Sequence, residues 1–247
     1  MDPRVQVQFM DITMLASEFG VHLDDIPSRH PDASQFSDAR PYHGQEFDIV
    51  ICDGQVLRTH PRAEWRESCE ATRLTVSQLI LGLQRIKTGG TFIILLHKIE
   101  AWNTCTLLKA FDAFSSVVLF KPKKSHATRS SFYLVAKNVQ PESGPAKEAV
   151  KEWKETWYKT TFEGDSSQQD PSEEVVDAFL VEYGPRLVEL GHEIWDTQAR
   201  ALETAPYVRN SRRTRDVVAV GLHSLAADAP NYYVHGASIS MHTGRRD

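Results

Sequence analysis

The chain has 247 residues, of which 41% are hydrophobic and 25% charged, with a formal net charge of −5. That length and balance allow one large domain, or one domain with an extension, around a sizeable core. They exclude a generic nucleic-acid binder held by overall positive charge, a bilayer-spanning run of ~20 apolar residues, and a disulfide framework.

The first predicted element is a strand, Val5 to Met10, where apolar and polar residues alternate before Asp11. A short helical stretch follows over Met14 to Phe19. Residues 20–46 hold three prolines and little periodicity, so they read as a long loop. Phe47 to Cys52 is a second strand, apolar enough for a sheet interior, with Asp53-Gly54 at its carboxyl end. A helix then starts near Glu64 or Ala71 and ends near Lys87. Its one apolar face carries Val76, Leu79, Ile80, Leu83 and Ile86, and Gly89-Gly90 is expected to stop it.

Thr91 to His97 is a third strand. Asn103 is a candidate cap for a helix bearing Leu107, Leu108, Phe111 and Phe114. Val117 to Phe120 and Phe132 to Ala136 are two more strands, and the short link between them predicts an antiparallel pair. That link, Lys121 to Arg129, carries Lys121, Lys123, Lys124 and Arg129 and no acid. It is a basic loop able to meet a phosphate backbone, or simply a solvated hairpin tip.

Composition shifts after Asn138. A Pro/Gly linker leads into a helix over Ala146 to Lys159, with Val150, Trp153 and Trp157 on one face. A helix from Glu173 is expected to break at Gly184-Pro185 and resume to about Leu202. Residues 139–205 carry 15 acidic and 6 basic residues, and 206–247 read as an irregular tail. The domain organisation expected is therefore 1–138, a helical extension 139–205, and the tail.

Strands alternating with helices predict an α/β sheet, mostly parallel with one reversed strand. Ligands of such sheets bind beyond the carboxyl ends of the strands. Asp11, Asp53 and the His97-Lys98 pair are placed there and are the candidate site, although an acid at a strand end can also cap a turn. The histidines and Cys52, Cys69 and Cys105 show no metal spacing, so no metal is expected; scattered thiols and the absence of a secretory signal fit an intracellular protein.

The segments VQFMDIT, FDIVICDG, LQRIKTGGTFIILLHK and FSSVVLFKPKKSHATRSSFYLVAK, in that order, resemble the later motifs of FtsJ-like RNA ribose methyltransferases. The resemblance covers about 135 residues. It implies a Rossmann-like sheet, S-adenosyl-L-methionine as cofactor, and RNA as the partner whose 2′-hydroxyl is methylated. It further implies Asp53 as the aspartate of a Lys-Asp-Lys-Glu tetrad, adjoining the cofactor. Asp11 matches the acid that receives the cofactor's adenine amino group, and the loop with Lys121, Lys123, Lys124 and Arg129 would face RNA. The tetrad's second lysine falls on Leu95, leaving Lys98 as the nearest substitute, and the glutamate falls on Ser131.

The family's glycine-rich cofactor loop has no counterpart, and the chain opens at what would be the third strand in the family order 3-2-1-4-5-7-6. An exposed sheet edge is then expected, to be completed by a missing N-terminal segment or by another chain, or else avoided by a rearranged sheet. Two readings follow: a methyltransferase-like protein with negligible transfer by this chain, or a catalytically dead module that binds RNA or protein. A nucleotide-dependent dehydrogenase is the weakest alternative, because no G-x-G-x-x-G is present.

Overall fold

The computed structural model describes residues 6–56, 63–164 and 171–205. Among them, four strands form one sheet: β1 (Phe47–Cys52), β2 (Ile86–His97), β3 (Ser116–Phe120) and β4 (Ser131–Lys137), in the order β1-β2-β4-β3. β1 runs parallel to β2, and β4 runs antiparallel to both β2 and β3. The expected mixed sheet with one reversed strand is thus observed, and the reversed strand lies one in from the edge.

Helices α1 (Glu70–Leu83) and α2 (Trp102–Asp112) pack on one face of this sheet, and α3 (Gly144–Tyr158) packs against both helices. α1 buries Val76, Leu79, Ile80 and Leu83, as its periodicity predicts. Its Gly82 lets the helix approach so closely that a Cβ there would lie 2.5 Å from the Phe92 ring and 2.9 Å from Val50. Phe92 in turn meets Phe111 of α2, at 5.2 Å between ring centres, and Trp153 of α3 stacks on Phe111. Ser143 caps α3 by accepting from the Ala146 N–H, with proline in the first turn. The tryptophans of α3 belong to the same core as the strands, and residues up to Leu202 form one compact unit. The expected irregular tail lies outside the described residues.

Five local expectations are corrected. Residues 6–10 form no strand; Phe9 is 92% exposed, and among the described residues no strand pairs with this stretch, which an isolated alternating pattern cannot replace. Met14 to Phe19 is a set of tight turns after a 3-10 turn at Ile12–Met14, burying Met14, Leu15, Ala16 and Phe19. Gly89-Gly90 does not stop α1, which ends earlier at Leu83. The glycines lie inside β2, where Gly89 takes φ +82° and a Cβ on Gly90 would lie 3.0 Å from the Asp48 carbonyl. They form a bulge, and the β1–β2 register shifts there.

Finally, α4 (Glu173–Thr204) runs unbroken through Pro185. Gly184 has no Cβ to clash with the proline ring. Packing on α2 holds the helix there: Arg186 pairs with Asp112 at 2.9 Å and Phe179 packs on Trp102. Asn103 is not a cap either; the α2 N-cap is Ala101, and the Asn103 side chain accepts from the adjacent Thr104 N–H.

Candidate site at the carboxyl ends of the strands

Two of the three predicted strand-end positions come together. Asp53 follows Cys52, which pairs with Ile94, so it leaves the sheet beside the end of β2. Gln78 of α1 holds the turn after it, accepting from the Gly54 N–H at 2.8 Å and donating to the Gly54 carbonyl at 3.1 Å. Asp53 itself is exposed. Gln55 then reaches across, its Oε1 lying 3.2 Å from His97 Nε2. Lys98 is exposed and takes the left-handed backbone region, φ 49°, with its N–H donating to the Ser130 carbonyl. A lysine in that region costs about 1 kcal/mol or more, sustained here by the strand pair on either side.

His97 sits opposite Ser131 of β4, and the Ser131 hydroxyl is 2.7 Å from His126 Nδ1. Burial, with the neighbouring His126 and Lys121 charges, holds the His97 imidazole below its ordinary pKa, favouring its neutral form. The rim is therefore a small polar cluster of Asp53, Gln55, His97, Lys98, His126 and Ser131. Sequence reasoning singled out Asp53 and His97-Lys98 but missed Gln55 and His126, which no spacing rule connects to the strand ends. Cys52, beneath the rim, is no nucleophile: burial pushes its thiol up to about 12.

The basic loop divides. Lys123, Lys124 and Arg129 are exposed. Lys121 is buried, and its ammonium donates to the carbonyls of Arg129 at 2.6 Å and Ser131 at 2.8 Å. It staples the loop shut and is buried away from the surface a phosphate would reach, so the expectation that it faces RNA is corrected. Desolvation lowers its pKa from the usual lysine value.

Asp11 closes no strand. Its Oδ1 accepts from the Thr13 N–H at 2.9 Å and the Thr13 hydroxyl at 2.7 Å, which is the turn-capping role open to any such acid. Its Oδ2 lies 3.6 Å from Arg66, whose guanidinium is also 3.8 Å from Asp32 and 3.6 Å from Glu70. Next to this group, the fully buried Arg73 bonds Glu70, the Thr161 hydroxyl and the Thr13 carbonyl. Trp157 also donates to that carbonyl, at 2.9 Å. The segment around Asp11 is thus bolted to the start of α1 and the end of α3.

Among the described residues no group of His, Cys, Asp and Glu could hold a metal ion, and no helix is long and apolar enough to cross a membrane. No curated protein matches the chain. A family model described as FtsJ-like methyltransferase matches residues 1–139.

Proposed function

Because the chain belongs to the FtsJ-like methyltransferase family, we propose that its rim descends from a site for RNA ribose 2′-hydroxyls and that this chain alone transfers methyl groups negligibly. The observation that carries this reading is the use to which Asp11 is put. The acid expected to hold the adenine of S-adenosyl-L-methionine caps its own turn, Oδ1 accepting from Thr13 and Oδ2 lying 3.6 Å from Arg66. The described glycines supply no cradle: Gly20 and Gly44 are isolated positive-φ turns, and Gly54 is filled against by Gln78. These residues do not fit the cofactor.

The rim fits the same reading. Leu95, at the position matched to the tetrad's second lysine, is part of the sheet and pairs with Tyr133. Leucine can neither take up nor steer a hydroxyl proton. Ser131, at the glutamate position, is buried and carries no charge. Lys98 is the remaining cation at the strand ends, and it and Asp53 are the groups through which a residual activity would act. The second reading, a binding module that keeps the rim and lost the chemistry, is favoured by the exposed Lys123, Lys124 and Arg129 beside a neutralised site.

Calorimetry with S-adenosyl-L-methionine tests the proposal. We expect no binding by the folded chain at micromolar cofactor. Micromolar binding that Asp11→Ala abolishes would overturn it. Single-stranded RNA binding that weakens several-fold from 50 to 200 mM salt, and that a Lys123→Ala/Lys124→Ala/Arg129→Ala triple variant loses, supports the module reading.

A further inference from the structure

The sheet has two faces, and among the described residues helices cover one. Phe92, Ile94, Leu96, Phe132 and Leu134 point into the helical layer and are buried. Strand alternation sends the intervening residues to the opposite face. The register lines them up in rows across the strands. Ile51, Ile93, Val135 and Val118 form one row, and Leu95, Tyr133 and Phe120 the next. Ile51 is 65% exposed, Ile49 58%, Phe120 56% and Val118 48%. Both rows are free of charge; Lys137 and Ser116 lie beyond one end and His97 and Ser131 beyond the other.

We propose that this open face is a homodimer interface, with the sheet of one chain packed face to face on the sheet of a second copy. A charged partner would find no complementary group on these rows, whereas a second copy presents the same uncharged apolar surface. The chain carries −5 overall, and residues 139–205 are strongly acidic, so two copies repel over much of their surface. The uncharged rows are where approach carries no such penalty. A two-fold arrangement places the same rows on both sides, and two such sheets pack ~10 Å apart with side chains interdigitating.

Size sets the expected strength. Four strands ~4.8 Å apart and three to four rows ~6.6 Å apart give a flat footprint of about 400 Å². Side-chain relief and the bordering Phe47, 36% exposed, and Met10, 41% exposed, enlarge it. That is within the range of about 300–600 Å² for the largest apolar patch of a typical monomer, and under the ~800 Å² each partner gives to a standard interface. The dimer should therefore be of micromolar rather than nanomolar strength.

Sedimentation of the full chain from about 1 to 200 μM tests this. We expect a monomer–dimer equilibrium within that range. Ile51→Lys and Val118→Lys, on opposite edge strands and already exposed in the monomer, should each weaken dimerisation at least about tenfold while leaving circular dichroism unchanged. Val181→Lys, at an 84% exposed apolar position on α4, should leave it intact. A wild-type chain that stays monomeric at the highest concentration would overturn the proposal without recourse to any variant. So would folded Ile51→Lys and Val118→Lys proteins that dimerise as the wild type does, or open-ended oligomers in place of a dimer.

Discussion

The two faces of the sheet are written in nearly the same residues and meet opposite fates. Phe92, Ile94 and Leu96 of β2 lie under the helical layer, while Ile93 and Leu95, interleaved with them, lie on the open side. β1 repeats the pattern: Cys52 is buried, and Ile49 and Ile51 are exposed. A run apolar at every position is the composition of a strand covered on both sides. Hydrophobicity here records what a face requires, and only the packing shows whether this chain supplies it.

The comparison predicts a graded set of responses. Phe92→Ala should have the largest effect, about 3–5 kcal/mol of stability, because it empties a site closed by Gly82 and Phe111. Ile51→Ala, one strand away on the open face, should cost no more than about 0.5 kcal/mol at concentrations where the chain is monomeric. Urea unfolding of both variants measures the contrast, and comparable losses would mean that the open face is covered. Arg73→Met ranks next, at about 3 kcal/mol, since the Thr13 carbonyl, the Thr161 hydroxyl and Glu70 lose a shared buried partner. Gly82→Ala should cost about 1–3 kcal/mol, by pushing α1 off the Phe92 ring.

Elements that depend on local pattern were legible in the sequence. Periodicity located α1, α2 and α3, and the short basic link correctly implied an antiparallel β3–β4 pair. What failed depended on partners. The alternation over Val5 to Met10 is a strand signal, but among the described residues no strand pairs with 6–10, which stay exposed. Gly89-Gly90 is as good a bulge as a helix stop, and the Asp48 carbonyl decides between them. At the site, the placement of Asp53 and His97-Lys98 at strand ends is legible in the sequence. The same rule puts Asp11 at a strand end, where the structure has a capped turn. Lys121 reads as a surface cation because charge is visible in a sequence and the carbonyls that bury it are not.

The smallest predicted effect probes the border between the faces. His97 ends β2 on the open side, yet burial and the charges of His126 and Lys121 depress its pKa below 6.5. In the unfolded chain the same imidazole titrates near 6.5. Above that pH it is neutral in both states and contributes no pH dependence. As pH falls below 6.5 the unfolded chain takes up the proton first, so the folded state loses stability until the folded pKa is passed. Urea unfolding at pH 7.5 and pH 5.5 should therefore show a wild-type loss that His97→Gln reduces, because glutamine keeps a polar group near Gln55 and cannot titrate. The difference should be modest, since the ring is only partly screened from water. Dimerisation sharpens the test. A second copy seated on Leu95 and Tyr133 would deepen the burial of the neighbouring His97, so the pH-dependent loss should grow with protein concentration. A loss independent of concentration would place His97 outside the contact and confine the dimer to the rows nearer Ile51.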